Sequence, residues 1–521
     1  IRAWDDEERR FATQRSIATV NFHRDATDAA CQAEKAYFDE IGPARTGLNL
    51  RLLAAVCTSE HREALEQILG GHALRLWDCK RTTFRDEIAE DRRRESALTN
   101  EYSVMLAELK FDFDGQSHTL STIRGRTGDA DRRTRRAAVK AMERALSTIQ
   151  PRLDAVYDEL VQIRTRMAKT LGYDRYTELG YQLLSRTDYG PDEVAVFRDQ
   201  LVSRLVPLAL QIRSRQAARM GISADYSYPD ESVSDDRGVP RPKGDHDWML
   251  DQAEEMFSQM GADFGAFFSM MRRRELLDLK ARDGKTGGGF CTAFEDHKVP
   301  FIFANFNGTQ DDVNVFTHEC GHAFQNFTSR DQPLRDYLWP TLEACEIHSM
   351  GLESLTYPYM ELFFGDDADR FREGHLETCI TFIPYMAAID DFQHRVYATP
   401  SASPDDRAAM WQAVEARYMP WRRYVDLPYF GGGRFWQRQR HVYSRPFYYI
   451  DYALAQLCAL QLWSRAQTDR EGTMEIYRQL CELGGSMSFT DLLAEVGLES
   501  PFAPGAVGRI VDEVRAALKM N

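Results

Sequence analysis

The chain has 521 residues, enough for a large core or for two lobes. Its formal net charge is −15, with 80 Asp and Glu against 65 Lys and Arg, which argues against nucleic acid and anionic membrane surfaces as partners. No uncharged apolar run approaches the roughly 18 residues of a membrane span, and nine cysteines without a C-x-x-C pair suit reduced thiols, so a cytoplasmic setting is expected.

The chain opens Ile1-Arg2-Ala3-Trp4 rather than on Met or a signal peptide, so the native start is expected to lie upstream. Helical spacing covers 29–70. Phe111-Asp112-Phe113-Asp114-Gly115-Gln116 predicts a small hairpin about an Asp-Gly turn. Helices follow over 131–170, 191–220 and 245–280, with a polar, Pro-containing loop from Tyr226 to Gly244. Gly287 to Gly289 and Gly431 to Gly433 lack the Lys-Ser/Thr of a phosphate loop and read as mobile turns. Val299 to Phe306, apolar and aromatic and ending in Asn307-Gly308, reads as a strand and turn. Helical spacing resumes over 311–330, 340–398, 404–418, 446–468 and 505–519. The fold class is therefore mainly α, with a small β element beside the 311–330 helix. The N-terminal third carries no chemical motif. A helical lobe over 1–180 is expected to wall one side of a deep cleft, with a catalytic lobe over 181–521.

His318-Glu319-Cys320-Gly321-His322 is the chemical centre of the sequence. Two histidines four apart share one helical face and can bind one metal ion. The adjacent glutamate can take a proton from a metal-bound water. Histidine is scarce, 12 in 521, and the flanks argue against a solvated surface helix. Val313, Phe316, Cys320, Phe324 and Phe327 fall near the spacing of a buried stripe. Thr309-Gln310-Asp311-Asp312 has the form of a capping box and marks a helix start. Burying two histidines and a glutamate without partners is costly, and a metal supplies the partner.

A catalytic zinc site takes a third protein ligand and keeps one open position. On the 340–398 helix, Glu343, Glu346 and Glu353 share a face, and spacing alone leaves all three open as ligands. His348 lies on the far side of that helix, and Cys320 and Cys345 read as packed thiols. Farther on, His441, Tyr443, Tyr448, Tyr449 and Tyr452 crowd a short segment. Two phenols on one helical face could stabilise an oxyanion, while an aromatic core stripe is the plain alternative.

These motifs resemble the thimet oligopeptidase family of zinc peptidases, in its oligoendopeptidase F and Pz-peptidase branch. The resemblance rests on Gly287-Gly288-Gly289-Phe290-Cys291, on Val299 through Thr309, on the H-E-x-G-H segment, and on Leu342-Glu343-Ala344-Cys345-Glu346-Ile347-His348. It continues through Asp391-Phe392-Gln393-His394, Phe435 to His441, and Pro446 to Gln456, in one order along the chain. It implies Glu346 as third ligand of a single Zn²⁺ with His318 and His322, Glu319 as general base, and Glu353 holding a ligand histidine. It also implies substrate-binding and oxyanion-stabilising roles for His441, Tyr452 and one of Tyr448 and Tyr449. It implies two helical lobes about a narrow cleft that admits oligopeptides. The function expected is a zinc metalloendopeptidase working through a Glu-activated, zinc-bound water. A zinc carboxypeptidase or dipeptidyl carboxypeptidase is the alternative, with Arg438, Arg440 or Arg445 holding the substrate C-terminus. A catalytically dead peptide-binding protein is the alternative of another class.

Overall fold

The computed structural model describes residues 1–520, and helices dominate them, as the spacing predicts. At the centre, Gln310–Thr328 (the motif helix) packs on Leu342–Leu355 (the glutamate helix). The glutamate helix runs along Tyr449–Ala466 (the tyrosine helix), which also meets the long helix Ala368–Ala398.

The motif helix begins where the sequence places it. Thr309 is its N-cap, and the Asp312 carboxylate accepts the backbone N–H groups of Asn307, Gly308 and Thr309 at 3.0, 2.6 and 3.3 Å. Those donors lie between a strand and a helix, so one carboxylate satisfies what neither element can. Val313, Phe316, Cys320 and Phe324 are buried as the stripe predicts.

Val299–Phe306 is a strand, as read. It is the centre of three, antiparallel to Phe290–Phe294 with Phe290 opposite Phe303, and parallel to Leu277–Lys280. Its two neighbours correct the sequence reading. The 245–280 region is two helices, His246–Met260 and Ala262–Arg273, parted by Gly261. The chain then turns through Glu275 at φ 54° into the first strand. Phe290–Phe294, just after the Gly287 to Gly289 turn, is a strand that the sequence reading did not assign. Local helical spacing loses here to pairing with a buried central strand, which comes from outside either segment.

The 340–398 region also divides. The glutamate helix ends at Leu355, and Pro358 and Gly365 (φ 54°) turn the chain before the long helix begins. The 111–118 hairpin forms as read, with Asp114 and Gly115 both at positive φ, the mark of a type I′ turn. Helices also occupy segments without an assigned span, among them Arg2–Arg24, Ala89–Glu108 and Arg470–Leu483. Gly431 to Gly433 is a helical turn packed against the Pro404–Tyr418 helix rather than a free loop.

The N-terminal helices support the segment that carries His441. The Tyr102 hydroxyl donates to the Gln437 carbonyl at 3.0 Å, and the buried Arg164 donates to the Tyr443 carbonyl at 2.5 Å. Tyr102 and Tyr443 stack with ring centres 3.9 Å apart. Among the described residues, no helix is long and apolar enough to cross a membrane.

Candidate active site

His318 and His322 lie one turn apart on the motif helix, with ring centres 5.0 Å apart. The glutamate helix brings Glu346 to both. Its Oε2 lies 3.3 Å from His318 Nε2 and 3.5 Å from His322 Nε2. The three donor atoms all fall within 4.8 Å of one another. Two imidazole nitrogens and one carboxylate oxygen match the donor set of a three-ligand zinc site.

Gly321 allows this approach. A Cβ there would collide with the His348 carbonyl oxygen and lie 2.6 Å from Ser349 Cα, both backbone atoms of the glutamate helix. Gly321→Ala is therefore expected to push the two helices apart. The expected cost is about 1–3 kcal/mol of stability, read by thermal melting, together with weaker zinc retention after dialysis. Unchanged melting and unchanged metal would show that the helices part without consequence.

A chain of hydrogen bonds orients the first histidine. His318 Nδ1 meets Glu353 Oε1 at 2.6 Å, Glu353 Oε2 meets His375 Nε2 at 2.9 Å, and His375 Nδ1 meets the Tyr357 hydroxyl at 2.6 Å. With Nδ1 held by a carboxylate, His318 turns Nε2 toward Glu346 and the metal position. Burial works against charge on His318, but its bonds to Glu346 and Glu353 outweigh that and hold its pKa well above the usual imidazole value. Glu346 is buried too, yet the same bonds from His318 and His322 keep it ionised, well below the usual carboxylate range. Its Oε2 also accepts from Ser349 Oγ at 3.0 Å.

Glu319 is buried on the motif helix, and burial pushes its carboxyl above the usual value despite the two neighbouring histidines. Gly289 keeps space beside it. A Cβ at that position would sit 3.6 Å from Glu319 Oε1 and 3.2 Å from Val315 Cγ1.

His441 approaches from the other side. Gln439 Nε2 donates to His441 Nδ1 at 2.7 Å, and Gln439 Oε1 accepts from the Tyr385 hydroxyl at 3.1 Å. This fixes the amide orientation and leaves the imidazole proton on Nε2. Burial, then Arg440 and Arg445, lowers the His441 pKa to about 4, so the ring is a neutral donor at neutral pH.

The three tyrosines divide. Tyr448 donates to Glu346 Oε1 at 3.0 Å and lies 2.8 Å from the Tyr452 hydroxyl. A phenol has one proton. With that of Tyr448 directed to a carboxylate, the contact between the hydroxyls falls to the Tyr452 proton, which can exchange Tyr448 for a substrate oxygen, whereas the Tyr448 proton stays on Glu346. Tyr449 lies over His441, ring centres 5.0 Å apart, and lines the cleft.

Other candidates fall away from the metal position. Both Glu343 carboxylate oxygens are buried without a hydrogen-bond partner among the described residues. His348 faces Tyr477 and the Leu480 carbonyl. Cys320 and Cys345 are packed and buried. Arg445 covers the Tyr448 ring, whereas Arg438 and Arg440 line the cleft. The sequence reading did not single out His375, Gln439, Ser349 or Tyr385. A histidine inside the apolar 340–398 segment, in a chain with only 12, was a usable signal for His375. Gln439 lies in the Phe435 to His441 stretch that carries the resemblance, but its spacing gives it no role.

The cleft beside these groups encloses about 1430 Å³. One wall comes from residues 102–130 and the other from segments between 232 and 449.

A paired-histidine helix joined by a glutamate from its neighbour is the donor arrangement of the helical, H-E-x-x-H metallopeptidases. The chain belongs to peptidase family M3, whose model matches residues 127–225 and 263–508, while the M3 N-terminal domain matches 1–84. It is similar to Pz peptidase A solved with an inhibitor, with 39% identity, 99% of this chain and 92% of that chain covered, and a TM-score of 0.94. A Bacillus anthracis structure, provisionally assigned as an oligoendopeptidase F, is 40% identical over 99% of this chain and 90% of that one, with a TM-score of 0.88. The group B oligopeptidase PepB of Streptococcus agalactiae is 21% identical over 71% of this chain and 61% of its own length. The chain thus spans about three fifths of the length of the curated relatives it matches.

Proposed function

We propose that this chain is a zinc metalloendopeptidase that hydrolyses short oligopeptides inside the cleft. The observation that carries the reading is the convergence of His318 Nε2, His322 Nε2 and Glu346 Oε2, with Glu319 beside them. One zinc ion held there would polarise the scissile carbonyl and acidify a water. Glu319 accepts the proton of the attacking water and delivers it to the leaving amine. His441 and Tyr452 donate hydrogen bonds to the carbonyl oxygen as it gains charge, and Gln439 keeps the His441 proton on the donating nitrogen. Tyr448 holds Glu346 and Tyr452 in place. Tyr449 forms part of the surface that meets the peptide. Glu353, backed by His375, aims His318.

The residue 1–180 lobe and the 181–521 lobe act, on this proposal, as the two walls that admit extended chains and exclude folded proteins. The nine free cysteines support a reducing, cytoplasmic setting. One observation favours the exopeptidase reading as well: Arg438 and Arg440 face the cleft, where they could meet a peptide C-terminus.

A digest of a random peptide mixture, read by mass spectrometry, tests the reading. Internal cleavage of short peptides supports it, release of C-terminal dipeptides alone favours the alternative, and no cleavage by zinc-loaded protein overturns both. Within that activity, Tyr452→Phe is expected to lower kcat by about 10²–10³ with KM nearly constant. Gln439→Leu is expected to lower it by about tenfold or more through loss of the His441 tautomer. Wild-type kcat in both, with unchanged melting, would return these groups to the aromatic core.

A further inference from the structure

The cleft reverses the charge of the molecule. The chain carries −15, yet six arginines line the cleft against two aspartates, Asp129 and Asp311. Two of these arginines stand out by their surroundings. Arg438 is packed over the Phe435 ring at 4.5 Å and bonds the Tyr228 hydroxyl at 2.5 Å. The other groups that reach its charge are Tyr385 and Arg422. Arg124, on the helix Leu120–Thr127 of the opposite wall, is reached by Arg438, Tyr228, Tyr102 and Tyr449. None of these is a carboxylate. By contrast, the neighbouring Arg422 is paired with Glu231 at 2.6 Å.

Withdrawing the Arg438 guanidinium from water without an anion is costly, and Arg124, exposed on the opposite wall of the cleft, adds like charge to it. Loss of water contact and then the charge of Arg438 hold the Arg124 guanidinium below its usual value, although the residue as a whole is exposed, while at Arg438 burial is outweighed by the Tyr228 and Tyr385 phenols, which hold it above its own. The fork of Arg438 is held by an aromatic face and a phenol, so its remaining donors are preorganised for a planar anion. The pair also sits against the catalytic groups. Both charges reach the Tyr449 hydroxyl, and the Tyr449 ring lies against His441, tilted by 40°. Arg438 precedes His441 by three residues.

We propose that Arg124 and Arg438 form a subsite that binds a carboxylate of the peptide substrate, and so select acidic or free-ended oligopeptides. The assignment rests on the peptidase reading above. The carboxylate is carried either by the peptide C-terminus or by a Glu or Asp side chain a few positions from the scissile bond. Both sources present the same planar anion, and they separate by experiment.

The test uses zinc-loaded full-length protein and matched quenched peptides. One pair differs by a free or amidated C-terminus, and further pairs by Glu or Gln at single positions. The wild type is expected to prefer the carboxylate member of one pair by about 10- to 100-fold in kcat/KM. That preference should shrink with added salt and fall toward one in Arg124→Gln. Arg124 projects from an exposed helix face, so its loss leaves the core intact, and Arg438→Gln is expected to act in the same way. The pair that shows the preference identifies the source of the carboxylate. Equal rates for every pair in the wild type, or a preference that survives Arg124→Gln, overturn the proposal. Turnover of no peptide at all overturns the peptidase reading instead. In that case fluorescence anisotropy of the same labelled peptides on wild type and Arg124→Gln still decides the subsite, with equal binding of acid and amide members counting against it.

Discussion

Glu319→Gln is expected to keep its metal and its fold and to lose at least about 100-fold in kcat. Glu319 is next to His318 in sequence, but its side chain is not one of the three converging donors. It makes no hydrogen bond to protein among the described residues, and it stands in space that Gly289 leaves open. Burial raises its pKa from 4.5, the direction that makes a carboxylate a better base toward neutral pH. Glutamine preserves volume and polarity and removes only the capacity to take a proton. Metal content, melting temperature and peptide turnover measured on the same preparation check the prediction. Zinc-bound protein with near-normal kcat would remove Glu319 from the role of base. The measurement also separates an enzyme from a peptide-binding protein, since a binder has no turnover to lose.

The elements legible in the sequence are those written in local spacing. The motif helix, its start at Thr309, the 299–306 strand and the Asp114-Gly115 hairpin depend on residues near one another. The two outer strands were not legible, because their partner strand lies outside their own segments; 277–280 continued a helical spacing, and 290–294 carried no assignment. The same division runs through the site. His318 and His322 follow from one motif. Glu346 was separable from Glu343 and Glu353 only by resemblance, and the geometry distinguishes all three, since one meets both histidines, one meets His318 Nδ1, and one meets neither. His375 lies 22 residues beyond Glu353, across a break at Pro358 and Gly365 that the spacing ran through. Only the return of the chain after that break makes the contact. Tyr448 and Tyr449 are indistinguishable by spacing, whereas the structure turns one to Glu346 and the other to the cleft, about 100° apart as neighbours at a helix start are.

The three glutamates of one helix should therefore respond differently to the same substitution. Glu346→Gln is expected to lose zinc most, Glu353→Gln to weaken it by about 10- to 100-fold as removal of an orienting partner does, and Glu343→Gln to leave it unchanged. Glu343 should reveal itself in stability instead. It is buried without a hydrogen-bond partner among the described residues, and burial, then the charge of Asp451, pushes its pKa to about 8. Burial raises Asp451 as well, to about 6 against the bond from Arg186, so Asp451 ionises first as pH rises and Glu343 keeps its proton longest. A carboxyl whose folded pKa exceeds its unfolded value favours folding fully below the unfolded value, near 4.5, and loses that contribution as pH rises through the folded value. Wild-type melting temperature should consequently fall between about pH 5 and pH 8 by an amount that Glu343→Gln removes, since glutamine has no proton to lose. Metal analysis after dialysis and melting curves across that pH range check both halves. Equal zinc loss in Glu343→Gln and Glu346→Gln would mean that the third donor is misplaced. A pH slope identical to wild type in Glu343→Gln would mean that the buried carboxyl finds a partner for its charge.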